Sequence, residues 1–192
     1  MLENPAGTYR YNYGDYVRWQ GDDRWELIDG EAYCMSPAPS RIHQALVIEL
    51  GAQILNFFRG AKCQVYVAPF DVRLPRGDEP DSEVDTVVQP DVAVICDPAK
   101  LDDAGCRGAP DWLIEVISPS TSVRDQVQKR DLYERHGVRE YWTIDPAERL
   151  LTIYSRQSGS GFEPPDTRPA RGRQAVPLFP GLRIDLDPPF EL

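Results

Sequence analysis

Two carboxylates in this sequence stand where the chain otherwise carries apolar side chains. Asp91 opens the run QPDVAVI at 89–95, and Glu115 lies inside PDWLIEVI at 110–117. A charge on a strand of Val, Ile, Leu, Ala and Trp is costly unless it is paired or bound to a metal. A helical stretch follows, in which Asp125, Lys129 and Tyr133 recur four apart and share one face. Two carboxylates can hold Mg2+ or Mn2+ while leaving waters on the ion, and a nearby lysine can orient a water or neutralise a phosphate. The chemistry suited to Asp91, Glu115 and Lys129 is hydrolysis of a phosphodiester. Val116, beside Glu115, is counted with the two carboxylates among the metal-holding positions. Alternate residues of a strand share a face, so Glu115 and Ile117 point the same way. A lysine at 117 would form a compact Glu-x-Lys pair. This chain has Ile117, so the lysine must come from the helix instead.

The elements that position these groups can be read in order. Residues 1–23 read as an N-terminal arm whose tyrosines pack on the body, with a short helix near Asp15–Gln20. One domain is expected over 24–192. Asp29-Gly30 between two apolar-rich runs signals a hairpin of Trp25–Ile28 with Glu31–Met35. Ser40 can cap a helix over Ser40–Arg59, with Ile42, Leu46, Leu50, Ile54 and Phe57 or Phe58 as its buried stripe and Gly60 as its stop. His43 and Glu49 lie near the edges of that stripe. A strand is expected over Lys62–Leu74, with Pro69 at an edge or bulge. The acidic stretch Arg76–Asp85 reads as a solvated loop. Val87–Cys96 reads as one strand, Asp97–Pro110 as loop, and Trp112–Ser118 as a central strand because its apolar run is nearly continuous.

Ser120 or Ser122 can cap a helix over Val123–His136 that Gly137 ends. Arg139–Ile144 and Arg149–Tyr154 form a hairpin around Asp145-Pro146. Residues 156–177, rich in Gly, Pro, Ser and Arg, read as a connection without regular structure, before a short strand Leu182–Leu186. The sum is an α/β fold: a mixed sheet with a helix on each face, preceded by the N-terminal hairpin.

Bulk properties narrow the classes. The chain has 192 residues, enough to bury a core without staples. There is no apolar run of membrane-spanning length and no signal-peptide pattern, so a cytoplasmic location without membrane association is expected. Four cysteines (Cys34, Cys63, Cys96 and Cys106) include no CxxC pair, and only two histidines are available. A zinc site is therefore disfavoured, and buried free thiols are expected. The formal net charge of −10 argues against non-specific coating of DNA. It leaves room for a metal-dependent nuclease, whose ion inverts the local sign.

PDVAV, PDWLIEVISPST, DQVQKRDLY and HGVREYWTIDP, with the upstream ELIDGEAYCMSPAPSRIHQ, resemble the Uma-type restriction endonucleases of the PD-(D/E)XK nuclease superfamily. The resemblance spans Trp25 to Asp145, with an echo at LFPGLRIDL. It implies a restriction-endonuclease-like core, Asp91 and Glu115 as metal ligands, and Lys129 as a catalytic lysine moved from strand to helix. His43 and Glu26 match positions where such proteins often carry these residues, and with Tyr133 they are given accessory roles. DNA is the implied substrate, and a homodimer is expected by analogy.

Two other functions fit the same residues. A binding module could keep the nuclease fold and hold nucleic acid or a protein. A glycosidase could use Glu115 and Asp91 as its carboxylate pair, with no metal and no lysine. Tyr133, Tyr141 and Trp142 could stack bases, although aromatics at such positions more often fill the core.

Overall fold

The computed structural model describes residues 9–21, 23–35, 38–118, 127–157, 159 and 161–191. Three α-helices are defined among them: α1 (Tyr13–Tyr16), α2 (Arg41–Phe58) and α3 (Lys129–His136). The strands fall into two six-stranded sheets and a hairpin. The first sheet contains β1 (Trp25–Ile28), β2 (Glu31–Cys34), β4 (Val72–Arg73), β5 (Val87–Val88), β7 (Leu101–Asp102) and β8 (Gly105–Arg107), in the order β2-β1-β5-β4-β8-β7. The second contains β3 (Gln64–Val67), β6 (Val92–Ile95), β9 (Trp112–Val116), β10 (Glu140–Asp145), β11 (Leu150–Ser155) and β12 (Asp166–Pro169), in the order β12-β11-β10-β9-β6-β3. Each sheet is mixed: β4 with β8 and β9 with β10 are parallel, and the other pairings are antiparallel. β13 (Arg173–Ala175) and β14 (Arg183–Asp185) form the hairpin.

The second sheet is buried on both faces, and the pleat sorts its side chains. Trp112, Ile114 and Val116 of β9, with Val92, Val94, Trp142 and Ile144, pack against Leu46, Leu50, Ile54 and Phe58 of α2. Leu113, Ala93, Ile95 and Tyr141 point the other way, toward Leu132 and Tyr133 of α3 and toward Ile28, Val72 and Val88 of the first sheet. Glu115 alternates with Ile114 and Val116, so it belongs to the α3 side.

The β1–β2 hairpin forms as expected, with Asp29 (φ 52°) and Gly30 (φ 80°) making the two-residue turn. The Ser40 side chain caps α2 by accepting from the His43 N–H. Gly51 lets α2 lie close on β3: a Cβ there would meet Val67 Cγ1 at 2.9 Å.

Several expectations are corrected. The architecture has two large sheets rather than one. Lys62–Leu74 and Val87–Cys96 are not continuous strands. Each splits, giving β3 and β4 from one and β5 and β6 from the other, and each chain passes from one sheet to the other. Pro69 and Pro90, which cannot donate to a ladder, stand at the two crossings. The crossings lie side by side, with the Ala68 N–H donating to the Asp91 carbonyl at 3.1 Å.

Part of 97–110 is β7 and β8, and part of 156–177 is β12 and β13. These are short or polar strands that lack an apolar signal. The N-terminal helix is a single capped turn, Tyr13–Tyr16, earlier than expected. The acidic loop is not wholly solvated, since Asp81 holds the buried Arg73 and, at 2.7 Å, Arg107. Cys63 and Cys96 are joined as a disulfide, so they are not free thiols; Cys34 is exposed and Cys106 buried. Asp125, Ser120, Ser122 and the start of the expected helix from Val123 lie outside the described residues. No helix among those described is long and apolar enough to cross a membrane.

Candidate active site

A cleft of about 940 Å³ opens at one end of the second sheet, where the chain passes between sheets. It is bounded by α2, the end of β2, and the residues that follow β9. Among the described residues, its charged and imidazole groups are Arg24, Glu26, His43, Asp91, Glu115 and Lys129. The structure therefore brings Glu26, His43, Asp91, Glu115, Val116 and Lys129 into one cavity wall, whereas Glu49, Tyr133, Tyr141 and Trp142 do not line it and Asp125 lies outside the described residues. Tyr133 lies directly behind Glu115.

The two carboxylates come from adjacent antiparallel strands. Val92 pairs with Ile114, which places Asp91 and Glu115 at the same level of the ladder. Asp91 Oδ2 accepts from the Val116 backbone N–H at 2.7 Å and lies 3.2 Å from His43 Nε2. Its other oxygen accepts nothing from the described residues. His43 continues the buried stripe of α2 one turn toward the N-terminus, three residues before Leu46, so it reaches the sheet from the α2 face. Its Nδ1 is buried and has no partner among the described residues.

The α3 face supplies the cation. Lys129, Leu132 and Tyr133 are the buried positions of α3, at spacings of three and four. Lys129 Nζ donates to Glu115 Oε1 at 2.8 Å and stands 2.9 Å from Glu26 Oε1. The Tyr133 hydroxyl donates to the same Glu115 oxygen at 3.0 Å. Glu26 Oε1 also accepts from the Gln89 backbone N–H at 2.8 Å. Lys129 is only 2% exposed and Glu26 is fully buried, so this is a desolvated cluster whose members depend on one another.

Gln89 and Arg24 also belong to the site, though neither stands out by residue type or spacing. Gln89 Nε2 donates to Asp71 Oδ1 at 2.8 Å and to the Tyr16 hydroxyl at 3.1 Å, while its Oε1 accepts from Arg24 Nε at 2.9 Å. Burial, with the Asp71 carboxylate beside it, pushes the Tyr16 hydroxyl far above its ordinary range. The available signals were the position of Gln89 two residues before Asp91 and that of Arg24 two residues before Glu26.

The donor set can be compared with what a divalent ion needs. Among the described residues, no three His, Cys, Asp or Glu side chains gather as a metal cage would require. Two hard carboxylates on one cleft, one of them with an unused oxygen, fit an ion that keeps most of its waters, as Mg2+ does. The Val116 N–H is committed to Asp91, so any part Val116 plays toward an ion falls to its backbone carbonyl.

The chain is 23% identical over 145 residues to the uncharacterized protein slr1290 of Synechocystis sp., covering 74% of this chain and 72% of that protein. It is similar in fold to the crystal structure of "a putative nuclease belonging to DUF820" from Anabaena variabilis. That similarity has a TM-score of 0.71 and 18% identity, over 94% of this chain and 97% of the other. The model of the Uma2 family, described as "Putative restriction endonuclease", matches residues 13–187, and the chain belongs to that family.

Proposed function

We propose that this protein is a metal-dependent endonuclease that hydrolyses phosphodiester bonds of DNA. The observation that carries the reading is the meeting of Asp91, Glu115 and Lys129 in one cleft, from two neighbouring strands and a helix packed across them. Asp91 and Glu115, with the Val116 carbonyl, would hold Mg2+ or Mn2+. When bound, such an ion supplies positive charge against the phosphate oxygens and acidifies a water.

The protein's own part is positional. Val116 N–H and His43 fix the Asp91 carboxylate from two sides. Lys129 and Tyr133 fix Glu115 from behind. Lys129 assists the attacking water from a position set by Glu26. Because the cleft ends on the sheet, a water between Asp91 and Glu115 would be held by two groups that cannot move independently. Cutting both strands of a duplex would call for two such sites, which is the argument for a homodimer.

A second reading has its own support. Lys129 lies between two carboxylates, and the chain as a whole is acidic, with a net charge of −10. Both features would suit a module that keeps the nuclease fold and binds nucleic acid or a protein without cutting.

Calorimetric titration of Mg2+ and Mn2+ separates the two, run on the wild type and on Glu115→Ala and followed by cleavage of plasmid DNA. The nuclease reading expects metal binding that the substitution removes, together with metal-dependent nicking. Wild-type protein that binds no metal even with DNA present, and cuts nothing, would leave the binding module.

A further inference from the structure

We propose that Arg24 is the anion-binding group of this cleft, taking a phosphate oxygen of the nucleic-acid backbone; this rests on the nuclease reading above. The argument begins with charge. Among the described residues, three carboxylates and two cations line the cavity: Glu26, Asp91 and Glu115 against Lys129 and Arg24. Lys129 is already engaged by Glu115 and Glu26, at 2.8 and 2.9 Å. Among the described residues of this wall, a phosphodiester therefore meets one guanidinium, that of Arg24, whose charge is not already matched by a carboxylate.

The guanidinium is also held ready. Gln89 Nε2 has two acceptors, Asp71 Oδ1 and the Tyr16 hydroxyl, and Tyr16 itself donates to Asp71 Oδ1 at 3.0 Å. That fixes the amide so that its oxygen faces Arg24 Nε at 2.9 Å. One terminal nitrogen is left over. Arg24 Nη2 is buried and donates to no acceptor among the described residues. A buried donor without an acceptor is costly, and an oxygen arriving in the cleft would relieve that cost. Arginine suits the role because its planar fork can meet two oxygens of one phosphate, which a lysine cannot do. Arg24 directly precedes β1, two residues before Glu26, and both line the same cavity. The Met35 N–H donates to the Arg24 carbonyl at 2.8 Å, tying the backbone of Arg24 to the base of the hairpin.

The test has three arms on the full chain. A 5′-phosphorylated DNA oligonucleotide is titrated with Ca2+ in place of Mg2+, so that binding is read without turnover. Inorganic phosphate is titrated separately, to tell a backbone-phosphate site from a free-anion site. Both are run on wild type, Arg24→Gln and Arg24→Lys. The expected result is an oligonucleotide affinity about ten- to hundredfold weaker in Arg24→Gln, partly recovered in Arg24→Lys, with Mg2+ affinity unchanged.

In steady state the same variants raise KM more than they lower kcat. The third arm needs no variant: the Arg24 Nε–H resonance of wild type shifts on adding the oligonucleotide. Phosphate that binds as tightly as the oligonucleotide would replace the nucleic-acid assignment with a free-anion site. Arg24→Gln with wild-type affinity, or an unmoved Arg24 resonance, overturns the proposal even if the protein cuts DNA. Oligonucleotide binding through Arg24 in a protein that cuts nothing would instead sink the nuclease reading and keep this one.

Discussion

Lys129 Nζ stands 2.9 Å from Glu26 Oε1, with both side chains out of contact with solvent. Glu26 belongs to β1 of the first sheet, whereas Glu115, the other partner of Lys129, belongs to β9 of the second. The lysine is thus shared between two carboxylates that the chain brings from separate sheets. Removing it leaves two buried negative charges facing each other.

Lys129→Met keeps the length and apolar stem of the side chain and deletes the charge. The expected cost is about 3–5 kcal/mol of unfolding free energy, the range for breaking a buried pair by removing one partner. Turnover should be lost while Mg2+ affinity holds or rises, because Glu115 gives up a competing cation. Urea denaturation and metal calorimetry on the same preparation check both. A variant as stable as wild type would show that the cluster is more hydrated than its burial indicates.

Asp91→Asn should separate charge from scaffold. The amide oxygen of Asn can still accept from the Val116 N–H, so the strand end stays in place and stability falls by about 1 kcal/mol or less. Divalent metal binding should disappear, since a neutral amide is a poor substitute for a carboxylate on a hard cation. Thermal unfolding and Mn2+ titration give the two readouts. Retained binding would place the ion elsewhere.

Glu140 predicts a pH dependence unrelated to catalysis. Its carboxylate is buried in β10, and burial pushes its pKa from the ordinary 4.5 up to about 7, against hydrogen bonds from Leu178 N–H and Trp142 Nε1 and the nearby charge of Arg139. The folded state therefore binds the proton more tightly than the unfolded state does. Stability should fall as pH rises from about 4.5 and level off above about 7, by an amount on the order of 3 kcal/mol. Glu140→Gln cannot ionise, so its melting temperature should lack this decline between pH 5 and 8. Parallel slopes for the two proteins would rule out Glu140 as the cause.

The Cys63–Cys96 bond closes a stretch with a sequence separation of 33. On the chain-entropy account, reduction should cost at most about 4 kcal/mol, because the bond constrains the unfolded chain. Denaturation with and without dithiothreitol, and of Cys63→Ser/Cys96→Ser, tests this. The double variant should match the reduced wild type and be indifferent to reductant.

The legible parts of this structure were those with local causes. Asp29-Gly30 dictated its turn, Ser40 its cap, and Gly137 the left-handed end of α3. Asp91 and Glu115 stood out because charge on an apolar strand needs a partner. What stayed hidden was decided by tertiary structure. Nothing local distinguishes a strand that continues from one that leaves its sheet at a proline, so β3–β4 and β5–β6 read as single strands. β12 is polar because it is an edge strand, and composition alone labels such a stretch as loop. The disulfide joins residues flanking β3 and β6, whose pairing is itself a long-range event. Arg24 was unremarkable in sequence because its meaning lies in Gln89, far along the chain.

The sharing of Lys129 between sheets also bears on how the molecule opens. If the first sheet lifts from the second, the lysine must give up Glu26 or Glu115 and strand a charge in an apolar interior. Partial separation at this end therefore carries an unmatched charge that the closed state does not. Amide protons of β1 and β9 should accordingly exchange together, at a rate set by the global unfolding equilibrium rather than by local breathing. The groups assigned to catalysis would then also act as the latch that makes the two halves of the fold unfold together.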